Sequence, residues 1–223
     1  MRVLISVSEK RGVQVLAKAL LAVGAEIIST GGTAEYLKKH KIPVTEVSAH
    51  TGFPEIMNGR VKTLHPKIFG GILARRDKDQ KKLKANKIEP IDWVIVNLYP
   101  FEKTVEADGV TEAEAVEQID IGGPSLIRAA AKNFAWVTVV TDSADYATLA
   151  RELKKHGEIS SETRKNLARK AFELTAEYDR AISGWFRSFC WLRSACSRSR
   201  CPAWCSTAAI RLPSGWRTVA RRR

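Results

Sequence analysis

The sequence predicts an α/β fold, a parallel sheet flanked by helices, and three observations point to it. Residues 3–7 form a short apolar run, residues 12–23 carry apolar side chains at helical spacing through Val13, Val15, Leu16, Leu20 and Leu21, and residues 26–29 return to a strand-like pattern. The stretch Trp93-Val94-Ile95-Val96-Asn97-Leu98 is nearly continuous in apolar residues, as a strand covered on both faces requires. Strand-like and helical segments then alternate along most of the chain, which is the order of βα units.

The remaining elements follow from the same patterns. Spacing predicts a helix over 34–40, a strand over 44–47, a strand over 92–98 and a helix over 112–119. Pro124 sits where a first helical position would be, and the helix it opens continues to Asn133. A strand over 136–141 and helices over 142–155 and 161–187 complete the order, the last opened by a weakened capping box from Ser161 to Arg164.

Charge separates the chain into two textures. The 223 residues hold 37 lysines and arginines against 24 acids, a formal charge of +13. Ten of the arginines, and none of the acids, fall at or after Arg180, so residues 1–179 set 27 cations against 24 acids and carry only +3. A body so nearly balanced gives no electrostatic case for nucleic acid. All four cysteines, Cys190, Cys196, Cys201 and Cys205, lie in the final stretch without a paired CxxC or a following histidine, so no metal site is expected. No apolar run is long enough for a signal peptide or a membrane span, and a cytoplasmic protein is expected. Four tryptophans, four cysteines and the absence of lysine after Arg180 are foreign to the lysine-rich body; one reading is a disordered basic tail, though such tails are poor in tryptophan and cysteine, and the sharper one is a slipped reading frame. The expected division is residues 1–182 as one domain and 183–223 as an atypical tail.

Four segments hold small and charged residues where open α/β sheets bind ligands. Ser8 and Lys10 follow the first strand and suit a phosphate, or serve as a helix cap and a solvated lysine. Thr30-Gly31-Gly32-Thr33 leads from strand to helix, either an anion cradle or a tight turn. In Gly59-Arg60-Val61-Lys62-Thr63-Leu64-His65-Pro66, Arg60 and Lys62 share a side if the segment is extended, and His65 before proline also reads as structural alone. Asn97, Tyr99, Asp120, Ile121, Gly122 and Lys132 form the last group, in which Asp120 is either a cap or a proton-transfer partner of a desolvated lysine.

The ordered blocks LISVSEK, STGGTA, TGFPEIMNGRVKTLHPKI, GGILARRD, VNLYPF and IDIGGPSLIRAAAKN closely resemble the N-terminal domain of the bifunctional purine biosynthesis enzymes that couple AICAR formyltransferase to IMP cyclohydrolase. The resemblance runs from about Arg2 to Ile182. It implies a methylglyoxal-synthase-like fold, a dimer in the full-length family, and closure of FAICAR to IMP with loss of water and no cofactor or metal. By matching motif, Ser8, Lys10, Thr30, Gly32 and Thr33 would bind the substrate phosphate. Arg60, Lys62 and Thr63 would line the same pocket, with Lys62 close to the reacting carbonyl or phosphate. Asn97, Tyr99, Asp120, Ile121 and Gly122 would contact the base, and Lys132 would transfer protons with Asp120 as its partner. Phe69 stands where many relatives carry a histidine, and Glu9 replaces a more usual aspartate. The formyltransferase part of the family pattern is absent, so formyl transfer is not expected. Two other readings share the fold: a methylglyoxal-synthase-like lyase, and an allosteric ligand-binding module like the one that ends carbamoyl-phosphate synthetase. An intact frame across the codons for Tyr178 to Trp191, read by sequencing the gene, would dismiss the slipped-frame account of the tail.

Overall fold

The computed structural model describes residues 1–99, 101–106 and 109–194, with side chains as far as 187. The chain divides into Met1–Ile182 and Ser183–Arg223. The sheet and every candidate site residue belong to the first unit, whereas Cys196, Cys201, Cys205 and the last arginines lie outside the described residues.

Five parallel strands form the sheet: β1 (Arg2–Val7), β2 (Glu26–Ser29), β3 (Thr45–Glu46), β4 (Trp93–Asn97) and β5 (Thr138–Val140), in the order β3-β2-β1-β4-β5. Val3, Leu4 and Ile5 of β1 and Val94 and Ile95 of β4 are wholly buried. Both faces of the central strands are therefore covered, which is why their sequences run apolar without alternation. The register sets Ile5 beside Ser29 on one side and Val7 beside Asn97 on the other, so the ends of β1 and β4 are level.

The helices are α1 (Val13–Ala22), α2 (Gly31–Lys39), α3 (Val47–Thr51), α4 (Pro66–Leu73), α5 (Gln80–Ala85), α6 (Phe101–Val105), α7 (Glu112–Glu117), α8 (Gly122–Lys132), α9 (Tyr146–His156) and α10 (Ser161–Ser194). Helix α1 packs on α9, and α4 on α8, which also lies against β4 and β5. Leu16 and Leu20, Ile68 and Ile72, Leu126 and Ile127, and Leu149 and Leu153 are the buried residues that bring these four helices into one core.

The structure departs from the expected elements in several places, and three of them have a clear local cause. The stretch 66–73 is helical, because the His65 side chain accepts from Lys67 N at 3.1 Å and Pro66 occupies the first turn, where its missing N–H costs nothing. Helix α8 starts two residues before Pro124, at Gly122. Helix α10 is capped by Ser160 and not by Ser161: the Ser160 hydroxyl accepts from Thr163 N at 3.1 Å, and Glu152 accepts from Ser160 N at 2.8 Å.

Close packing at Gly71 is one requirement of this arrangement. A Cβ there would stand 2.6 Å from the Glu89 carbonyl oxygen and 3.1 Å from Ile91. Gly71→Ala is expected to destabilise the fold by about 2 kcal/mol, read as a shift in the urea midpoint. His50 on α3 is a second. Burial lowers its pKa from 6.5, and its Nε2 is enclosed without a hydrogen-bond partner among the described residues. The unfolded chain then binds the proton more readily, so stability present above pH 6.5 falls as the pH drops below it. His50→Gln should flatten that acid limb in urea titrations at successive pH values.

Candidate active site at the strand crossover

Strands β1 and β4 are neighbours, yet the chain leaves them in opposite directions, toward β2 from β1 and toward β5 from β4. Such a divergence opens a crevice at the carboxyl ends, and open α/β sheets bind ligands there. Asn97 spans it. Its Oδ1 accepts from Ser8 N at 2.6 Å and Glu9 N at 3.3 Å, and lies 2.9 Å from Ser8 Oγ. Its Nδ2 donates to the Glu9 carbonyl at 3.1 Å, and Ser8 Oγ also reaches the Leu98 carbonyl at 3.2 Å. Ser8 is therefore neither a helix cap nor a loose hydroxyl. Lys10 turns back toward the same loop, its Nζ 3.4 Å from the Ser8 carbonyl.

On the β2 side, Thr33 ties α2 to β1. Its hydroxyl donates to the Val7 carbonyl at 2.9 Å and accepts from Val7 N at 3.1 Å. A hydroxyl has one proton, so in this arrangement Thr33 has none to offer a phosphate. Thr30 is buried at the start of α2 without a side-chain capping bond, while Gly31 and Gly32 are exposed beside it.

The Arg60 segment is not extended. Met57–Gly59 forms a 3-10 turn closed by a bridge between Ile56 and Val61, and Arg60 has helical dihedrals, φ −63 and ψ −29. Arg60 and Lys62 accordingly do not share a side: Arg60 lies 3.5 Å from Glu117, and Lys62 lies 3.7 Å from Glu55. Thr63 is buried, and its Oγ1 stands 3.1 Å from where a Cβ on Gly122 would be, so this segment does reach the first turn of α8. His65 has the structural role of capping α4.

Asp120 caps α8, its Oδ1 accepting from Gly123 N at 2.8 Å. A side chain on Gly123 would overlap the Asp120 carboxylate and approach Leu98 Cδ2 to 2.8 Å, so this turn requires glycine. Asp120 N donates to the hydroxyl of Tyr178 at 2.8 Å, a contact from α10 that spacing alone does not reveal. Tyr99 and Ile121 are more than half exposed. A cavity of about 750 Å³ opens beside Ser8, Asn97 and Tyr99 and extends toward Asp142 and Lys170.

Lys132 is placed elsewhere. It ends α8, ten residues beyond Gly122, and a helical rise of about 1.5 Å per residue puts it roughly 15 Å from that start. It is exposed, beside Phe69, Phe134 and Phe172, and within the chain it does not pair with Asp120. The structure thus gathers Ser8, Lys10, Asn97 and the Thr30–Thr33 turn at one edge and sets Thr63 against the Asp120–Gly122 turn. Lys132 stands at the far end.

A five-stranded parallel sheet with helices and a polar crevice at its crossover defines the class, and the chain belongs to the MGS-like domain family, which matches residues 12–125. The AICARFT/IMPCHase bienzyme family matches residues 130–210. The chain is 55% identical over 184 residues to the bifunctional purine biosynthesis protein PurH of Anoxybacillus flavithermus, and 55% identical over 184 residues to that of Listeria welshimeri. It is 56% identical over 183 residues to PurH of a Thermoanaerobacter species. These matches take in 81–82% of this chain and 36% of each relative, so the chain spans little more than a third of the PurH proteins it resembles. The crystal structure of ForH superposes with a TM-score of 0.76 at 34% identity, covering 83% of this chain and 96% of ForH.

Asn97→Ala strands the Ser8 and Glu9 N–H groups together, and a loss of about 2–3 kcal/mol is expected in urea unfolding.

Proposed function

We propose that residues 1–182 form an IMP cyclohydrolase that closes the pyrimidine ring of FAICAR, a reading supported chiefly by the meeting of the Ser8–Asn97 bridge and the Asp120-capped start of α8 at the strand crossover of a PurH relative. The carboxamide nitrogen adds to the formyl carbon, the formyl oxygen takes up one proton from that nitrogen and one from the formamide nitrogen, and its departure as water leaves the C=N bond of IMP. The protein must hold the two groups in attack geometry and stabilise charge on that oxygen.

In this reading the phosphate rests on the backbone N–H groups at the start of α2, Thr30 to Thr33, with Ser8 and Lys10 alongside. Arg60 and Lys62 bring positive charge from the neighbouring turn once they exchange Glu117 and Glu55 for substrate. The base lies over Tyr99 and Ile121. Asp120, whose second carboxylate oxygen accepts no hydrogen bond among those described, orients the carboxamide. Asn97 serves by fixing Ser8. The resemblance assigns proton transfer to Lys132, and a homodimer is part of the same proposal. The remoteness of Lys132 within one chain favours one alternative, a phosphate-ligand-binding module without catalysis.

Turnover of FAICAR to IMP by the full chain, followed by ultraviolet absorbance, decides between them. Asp120→Asn and Lys62→Ala are each expected to slow turnover about 100-fold. A wild-type chain that binds IMP and never closes the ring would establish the binding-module reading. Lys132→Ala separates two versions of the mechanism: a comparable loss shows that its ammonium acts on the ring-closing atoms, and a change below about threefold leaves proton transfer with Asp120 and Lys62.

A further inference from the structure

We infer that Tyr178 is a positioning residue of this site, holding the backbone of Asp120 so that its carboxylate faces the substrate; the inference rests on the cyclohydrolase reading for its catalytic consequence and on geometry alone for the contact. Tyr178 is 8% exposed on α10, and its hydroxyl accepts from Asp120 N at 2.8 Å. The same hydroxyl lies 3.5 Å from the Gln118 carbonyl, to which its proton is directed. One side chain thus reads both sides of the turn that leads into α8.

The Tyr178 ring is itself fixed. It packs edge-on against Phe101, with centroids 6.4 Å apart and the planes at 74°, and Phe101 is 1% exposed. At the other end of the turn the Asp120 carboxylate is held by Gly123 N, with Leu98 close behind. Asp120 is therefore fastened twice, through its carboxylate by α8 and through its main chain by α10. The first fastening sets where the carboxylate is, and the second sets which way the turn presents it. Without the hydroxyl, Asp120 N loses its acceptor in a half-buried place, and the turn is free to seek another. A shift of about 1 Å at a reacting group affects the chemical step more than binding.

The test uses the full chain and its Tyr178→Phe variant, which keeps the ring and removes only the contact. Two measurements are made: FAICAR turnover, with Asp120→Asn as a control, and amide hydrogen exchange at Asp120 against that of Ile5 in β1. The expected result is a kcat lowered about tenfold with KM within about twofold, and Asp120 exchange accelerated about tenfold while Ile5 is unchanged. Unchanged Asp120 exchange overturns the inference, and so does an unchanged kcat where wild type turns over and Asp120→Asn does not. If wild type does not turn over, or Asp120→Asn turns over as fast as wild type, the cyclohydrolase role given to Asp120 fails. Exchange at Asp120 alone then decides whether Tyr178 holds the turn.

Discussion

The bridge between the ends of β1 and β4 is the constraint on which the rest of the site depends. A parallel sheet whose chain departs both ways from two neighbouring strands leaves its loops without a shared hydrogen-bond ladder beyond the last residue pair. Here that pair is Val7 and Asn97, and the Asn97 amide continues the ladder by one step, taking the Ser8 and Glu9 N–H groups as a further strand residue would. Thr33 does the same for the β2 side through Val7. The other end of the β1–β4 pair is closed by Asp92, which accepts from Arg2 N at 2.8 Å, and by Arg76, which donates to the Ile91 carbonyl at 2.7 Å. Polar groups thus seal the apolar core at top and bottom.

The central strands and long helices were legible in the sequence because they bury continuous apolar runs or stripes, and β2 ends where its pattern ends. Of the short helices, α7 was legible from its spacing, and α3, α4, α5 and α6 were not. The stretch 66–73 carries Lys67 and two glycines, and its helix depends on the His65 cap and on contacts with Glu89 and Ile91 far along the chain. Of the site, the small and charged residue types at the strand ends could be read, but each also had a structural reading as a cap, a turn or a surface cation, as the capping by His65 and Asp120 shows. Their tasks could not. Whether the Thr33 proton faces a ligand or Val7, and whether Arg60 lies beside Lys62, is decided by dihedrals and neighbours that spacing does not encode. Tyr178 is the clearest case: a tyrosine among helical residues reads as core, and only the fold brings its hydroxyl to Asp120, 58 positions away.

Helix α8 serves the two ends of the sheet differently. Its glycine-rich start lies at the crevice, where small residues let Thr63 and Asp120 come close. Its other end is anchored by Asn133, whose buried amide donates to the carbonyls of Ile72 and Ala74 at 2.7 and 3.1 Å and so ties α8 to the end of α4. The MGS-like domain family match ends within the first turns of this helix and the bienzyme match begins near its close, so α8 is the element where the two family patterns meet.

The double hydrogen bond between Thr33 and Val7 has a consequence for how a ligand would enter. With the loop after β1 already tied to both of its neighbours, little chain entropy would be left to lose on binding an anion there, and the cost of ordering would be met at folding and not at encounter. An open crevice in a small domain can then select its ligand by the fixed directions of a few N–H groups, in the manner of a rigid mould, with no enclosing lid required.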